Sequence, residues 1–334
     1  MGFSRRLNLL NRIATRRNST VITYITGDRE NVSTRIAPDA LPVIYRHLRR
    51  RSSYERVDLF LYTRGGDVLT PWRLVHLIRE FTTHFSVLVP YRAYSAGTLV
   101  CLGADEIVMG RMGELGPIDP SVVNAFNPQD PINPGARVPV NVEDVYSYLT
   151  LVRDEAGLRS ESELARAFML LASRIHPLAL GNVHRNHLLV RSLARRLLLT
   201  HRKTFSPDKI QAIVDSLTEK LYAHNHMIPR QEAAQEIGMP IVYPDEQLEE
   251  DLWTLYEDYD QSLKLGTPFN PDEVVTQLCP TFEVPGGYIE SVNGQHVFVF
   301  HGEVERNEFG EKGQFNVNIL SQGWRSQNVK GCIQ

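Results

Sequence analysis

Two hydrophobic periods alternate along the first third of the chain. Val21–Ile25, "VITYI", is a run of β-branched and aromatic residues closed by Gly27-Asp28, which predicts a buried strand. From Pro38 to Arg51 the apolar positions Leu41, Ile44, Tyr45 and Leu48 follow a helical period. "VDLFLY", 57–62, predicts a second strand and runs into "TRGGDV", a turn with two glycines. Thr70 and Pro71 then mark a helix start, with Trp72, Val75, Ile78 and Phe81 as its apolar face. Ser86–Val89 predicts a third strand, Ala96 to Ala104 a short helix and Glu106–Met109 a fourth strand. Strands separated by helices need crossovers. The order β-α-β-α-β-α-β therefore predicts an α/β fold with a mostly parallel sheet.

Residues 113–140 are rich in Gly, Pro and Asn and have no period. Helical patterns follow over 143–156, 161–175, 178–200, 206–222, 230–238 and 245–264. After Pro268 the pattern alternates, and Asn293-Gly294 signals a hairpin, so 280–325 reads as a small β appendage. The expected division is a basic arm at 1–20, an α/β core at 21–142, a helical region at 143–266 and a β-rich segment at 267–334. No internal repeat is visible.

Composition narrows the class. No apolar run reaches the length of a membrane span, and the start lacks the apolar core of a secretory signal. Cys101, Cys279 and Cys332 are far apart and form no metal-type pair, which points to free thiols and a reducing, cytoplasmic setting. The net charge of −3 hides an asymmetry, for residues 1–56 hold twelve arginines and four acidic residues. Such a basic segment is expected either to serve as a solvated face with subunit contacts or to meet a separate partner: nucleic acid, an anionic membrane or an acidic protein.

Gly65-Gly66 and Ser95 carry the candidate chemistry. Each follows a predicted strand directly and precedes a helix, 29 residues apart for Gly66 and Ser95. Adjacent parallel strands bring their ends to one edge of the sheet, where ligands of open α/β sheets bind. The Gly66 and Ala96 N–H groups could then converge on one oxygen beside the Ser95 hydroxyl, the arrangement of acyl transfer. On that reading Gly66→Ala would cut kcat far more than it lowers the melting temperature. The same residues also suit nothing more than tight turns. No phosphate loop is present, because no Gly-Lys-Ser/Thr follows the glycines. His224-x-His226 lacks the further ligands of a zinc site, so neither metal nor cofactor is expected.

"LYTRGGDVLTPWRLVHLIREF", "PYRAYSAGTLVCLGADEIVMG" and "GELGPIDPS" resemble the serine dehydrogenase proteinase family, within the Clp peptidase/crotonase superfamily and related to signal peptide peptidase A. "VITYITGDR", "HPLALGNVHR" and "LYAHNHMIPRQEA" are similar to the same family, and the resemblance runs from about residue 21 to about residue 259. It implies a spiral ββα core, Ser95 as nucleophile, an oxyanion hole from Gly66 and Ala96, polypeptide as substrate and a homo-oligomer.

The resemblance leaves the general base open. Ile118 stands where Clp peptidases carry His, and the neighbouring Asp119 is suited to orient a base rather than to be one. The first lysine is Lys203, far beyond the signal-peptide-peptidase window, and Arg137 inside that window stays protonated. Loop histidines are therefore the candidates: His224 first, then His176 and His226, with Lys203 or Lys220 of a neighbouring subunit after them. His184 and His187 fall within a predicted helix and read as packing or surface residues. Two readings follow. One is a serine peptidase acting through an acyl-enzyme. The other is a non-catalytic scaffold or binding module of the same fold that has lost its base. Acyl-CoA chemistry of the crotonase kind would not need Ser95.

Overall fold

The computed structural model describes residues 2–118, 121–122, 124–133, 135–219, 226–271, 274, 281–306 and 315–327. The chain opens with α1 (Phe3–Arg17) and β1 (Thr20–Thr26). It continues through α2 (Ala40–Leu48), β2 (Val57–Tyr62), α3 (Thr70–Arg79), β3 (Phe85–Val89), β4 (Arg92–Ala93), α4 (Ala96–Leu102) and β5 (Glu106–Met109). Short strands β6 (Glu114–Leu115), β7 (Ser121–Val122) and β8 (Val140–Asn141) lead to α5 (Val142–Thr150), which ends in a π-turn at Leu151–Glu155. There follow α6 (Glu161–Arg174), α7 (Pro177–Leu198), α8 (Pro207–Glu219), β9 (Ile228–Pro229), α9 (Arg230–Gln235), β10 (Ile241–Val242) and α10 (Glu246–Leu263). Three long strands close the fold: β11 (Thr281–Ser291), β12 (Gly294–Arg306) and β13 (Phe315–Gln327).

The main sheet has the order β10-β5-β3-β2-β1-β11-β12-β13. From β10 to β1 every pairing is parallel, as the alternation of strands and helices requires. The strands β1, β2, β3 and β5 are almost wholly buried because helices cover both faces. One face packs on α2, α3 and α4 through Ile44, Leu74, Val75, Ile78 and Val100. The other packs on α1 and α10 through Leu10, Ile13, Leu252, Leu255 and Tyr259. The hairpin signalled by Asn293-Gly294 is present, but its strands are not a unit of their own. β11 pairs antiparallel with β1, Ile22 opposite Ser291, and so covers an edge that would otherwise expose unpaired backbone.

The expected basic arm is instead a packed helix. Arg6 is 2% exposed. Its Nε and Nη2 donate to Glu290 at 2.9 and 2.8 Å, and its Nη1 to Asp258 at 2.9 Å. Burial works against the charged form of Arg6, but the bonds to Glu290 and Asp258 outweigh it and raise the pKa. Arg12 and Arg16 pair with Asp251, and Arg17 pairs with Asp58 at 2.5 Å. A helix with this many arginines stays on the protein because carboxylates of α10, β11 and β2 answer them.

His47 of α2 is a second buried polar group. Its Nδ1 lies 2.7 Å from Ser291 Oγ and its Nε2 lies 3.0 Å from His296 Nδ1. Burial, helped by His296 and Arg50, lowers its pKa to about 4. The unfolded chain takes up this proton near pH 6.5. Between those values the unfolded state therefore binds more protons than the folded one, and stability falls as the pH drops. The expected loss is about 3 kcal/mol by pH 4. Urea unfolding between pH 7.5 and 4.5 checks it: the decline should be shallower in His47→Gln.

Candidate active site

Three short segments build the site at the carboxyl end of the parallel strands. After β2 the chain continues as Thr63, whose N–H donates to Arg92 O at 2.9 Å, while Tyr94 N–H donates back to Thr63 O at 3.1 Å. This short parallel bridge, Thr63 with Ala93, carries β4 alongside the glycine turn. Gly65 then touches the residue that follows β4. A Cβ on Gly65 would lie 2.9 Å from Ser95 Cβ and 3.3 Å from Ser95 Oγ. The two strand ends expected to meet therefore do meet.

Gly66 is pinned from its other side. Ile36 N–H donates to Gly65 O, and Asp67 N–H donates to Ile36 O, each at 2.8 Å. A bridge of this kind bonds the residues before and after Gly66 and turns the N–H of Gly66 itself away from Ile36. The Gly66 N–H has no acceptor among the described residues. Neither has the Ala96 N–H, which is the first of α4 and so free by position.

The glycine at 66 has a second reason that the sequence did not reveal. A Cβ there would stand 2.1 Å from Ile36 O and 2.6 Å from Ile36 N. Both contacts are backbone, so the strap at Ile36 would have to leave. This corrects the expectation for Gly66→Ala: activity and stability should fall together. We expect a loss of more than about 2 kcal/mol, in the range of strain and overpacking effects. Thermal and urea unfolding of the variant measures it.

Ser95 occupies φ 52° and ψ −110°, a region that side chains other than glycine rarely adopt. It is half-buried, and its Oγ has no hydrogen-bond partner among the described residues. The strain is held from three sides. Gly65 packs on the side chain, Gly97 N–H donates to Tyr94 O at 2.8 Å, and Thr98 Oγ lies 2.8 Å from both Ala93 O and Gly116 O, its one proton shared between them, while Gly116 N–H donates to it at 3.2 Å. Gly97 has no room for a side chain either, since a Cβ would lie 2.5 Å from Thr63 Cγ2.

The residues considered for the base lie in different places. Ile118 is buried in the main core with its N–H bonded to Leu217 O at 3.1 Å, so that position offers no titratable group. Asp119 and His224 lie outside the described residues, as does Lys220. His176 is exposed and caps α7, its Nδ1 accepting from Leu178 N–H at 3.2 Å, and its ring stacks on Phe126 at 5.0 Å. The first residue of α7 in the main core is Val190, about 21 Å further along the helix at 1.5 Å per residue. His176 thus caps α7 and stacks on Phe126. Lys203 is exposed beyond α7.

His226 is differently placed. The strands β4, β6 and β9 form a small sheet, with Ala93 opposite Leu115 and Leu115 opposite Ile228. Because β9 is antiparallel to β6, the chain enters β9 from the Ser95 end. His226 lies two residues before Ile228, on the side of β9 that corresponds to the Ser95 end of β4. The His226 Nε2 lies 2.9 Å from Glu232 Oε1, a carboxylate partner that the sequence reading missed. His184 bonds Tyr146, and the His187 ring stacks on it, as packing residues do.

Residues 2–132 match the family model of the ClpP-like SDH-type serine proteinases. The match is to the family that the sequence motifs resemble. The matched segment holds Gly65, Gly66, Ser95 and the "GELGPIDPS" stretch, and it ends before His176, His224 and His226. The chain is also similar to two uncharacterized proteins of Methanocaldococcus jannaschii. It is 25% identical to MJ0137 over 265 residues, which is 78% of this chain and 80% of that one. It is 33% identical to MJ1495 over 79 residues, 24% of this chain and 27% of that protein. The large mixed sheet with flanking helices is compatible with a ClpP-like fold. Among the described residues no helix is long and apolar enough to cross a membrane, and no group of three or more His, Cys, Asp or Glu could hold a metal.

Proposed function

We propose that the protein is a serine peptidase of the Clp/crotonase type, with a spiral ββα core spanning residues 21–142, that cleaves polypeptides through an acyl-enzyme at Ser95. The observation that carries this reading is the strain at Ser95. A backbone at φ 52° and ψ −110° costs about 1–3 kcal/mol. A scaffold without chemistry gains nothing from that cost, whereas a nucleophile gains a hydroxyl free of internal partners at the start of a helix, with the Gly66 and Ala96 N–H groups also without acceptors among the described residues. The same observation disfavours the non-catalytic reading.

In this mechanism Ser95 Oγ attacks the substrate carbonyl, and the Gly66 and Ala96 N–H groups hold the oxyanion. His224 takes the hydroxyl proton and returns it to the leaving amine, with Asp119 to orient it. The register of β4, β6 and β9 supports a base from this segment, because its neighbour His226 approaches from the Ser95 end. A homo-oligomer belongs to the same proposal. Helix α6 buries none of its residues, and Phe168, Met169 and Leu170 are at least half exposed. A second copy of the chain would cover them. A cytoplasmic setting is also part of the reading, supported by the buried free thiol of Cys101.

A fluorophosphonate probe tests the reading. Stoichiometric labelling mapped to Ser95, absent in Ser95→Ala, is expected. An unlabelled wild-type protein would overturn it.

A further inference from the structure

Two groups stand out among the twelve arginines of residues 1–56 in the folded protein. The arginines of α1 and Arg56 face Asp58, Glu106, Asp251, Asp258 and Glu290. Arg46, Arg49 and Arg50, at the end of α2, are exposed and have no carboxylate partner among the described residues. The terminal dipole of a helix needs only about half a positive charge there. Three guanidinium groups leave an excess of more than two.

These three line a cavity of about 480 Å³, together with His47, Asn293, His296 and Ser326. No carboxylate lines it. Its floor is the buried pair of histidines. If Ser291 Oγ–H donates to His47 Nδ1 and His47 Nε2–H to His296 Nδ1, the His296 Nε2–H remains for the cavity. Ser291 pairs with Ile22 near the start of β1, whereas Ser95 lies beyond the ends of the parallel strands. The cavity is therefore at the opposite end of the sheet from the candidate active site.

We propose that this cavity binds a small ligand through a phosphoryl group, held by Arg46, Arg49, Arg50 and His296. Guanidinium groups match phosphate oxygens in pairs. Three of them over-neutralise a single carboxylate but balance an anion of two or three charges. The volume is that of a small-molecule pocket, between α2, the β11–β12 turn and β13. The proposal does not depend on the peptidase reading.

Isothermal titration of the full chain with inorganic pyrophosphate, at fixed ionic strength and pH 7.5, tests it. Saturable binding of one pyrophosphate per chain is expected. The affinity should fall at least tenfold in Arg46→Gln/Arg50→Gln and stay at the wild-type value in Arg35→Gln and Ser95→Ala. All these positions except Ser95 are exposed arginines, so equal urea midpoints will confirm that the fold is kept. Adenosine diphosphate in place of pyrophosphate distinguishes the source of the group: tighter binding means that a nucleoside also fits, equal binding that only the phosphoryl part is held. No saturable heat with either ligand overturns the proposal. So does an equal loss in Arg35→Gln, or binding of a DNA duplex alone.

Discussion

Replacing Ser95 by alanine is expected to lower kcat for peptide hydrolysis by on the order of 10⁴-fold or more, with no loss of stability. Alanine keeps the small volume and the same φ, so the turn held by Gly65, Tyr94 and Thr98 remains. Only the hydroxyl goes. Ser95→Gly is the sharper companion. Glycine adopts φ 52° without a Cβ penalty, so this variant should be as inactive as Ser95→Ala yet more stable than wild type, by about 1 kcal/mol. A nucleophile held in strain gives that opposition between activity and stability. A serine that merely fills a turn does not. Peptidase assays with a generic unfolded substrate, and urea midpoints of the three proteins, read both effects.

The second large effect concerns α1. Arg6→Met is expected to destabilise the fold by about 3–5 kcal/mol, the cost of breaking a buried ion pair from one side. Methionine fills much of the arginine volume, so the loss would come mainly from Glu290, left buried without its cation, while Asp258 keeps the more distant Arg5 at 3.6 Å. Tyr259 would still donate to Glu290 at 2.6 Å, and Gln295 at 2.7 Å, which keeps the carboxylate from being bare but not from being charged. Adding Glu290→Gln to Arg6→Met should therefore return part of the loss. If Arg6→Met costs less than 1 kcal/mol, α1 is only loosely held.

Most of the α/β core was legible because its period is strict. "VITYI", "VDLFLY", "SVLV" and "EIVM" all became strands of the parallel sheet, and the helices between them start within a few residues of the expected positions. The approach of Gly65 to Ser95 was also legible, since strand ends of a parallel sheet share an edge. What the sequence hid depends on long-range pairing. Nothing near Glu290 announces that it meets Arg6, 284 residues away, so the basic start read as an arm. Nothing near "GGYIESV" announces that β11 closes the edge of β1, so those strands read as separate. Ile36 carries no motif, yet its backbone is what forbids a side chain at residue 66. The start of α3 at Thr70 was legible, but the carboxylate that holds it was not: Asp67 accepts from Thr70 N–H at 2.7 Å.

The account's central claim is that Ser95 forms a covalent acyl-enzyme. Intact-mass analysis of the protein quenched with acid during turnover of an activated peptide ester tests it most directly. The account predicts one acyl group per chain, mapped by fragmentation to the peptide containing Ser95, formed by the wild type and lost in Ser95→Ala. An acyl group mapped to another residue, or hydrolysis by Ser95→Ala at the wild-type rate, would contradict it.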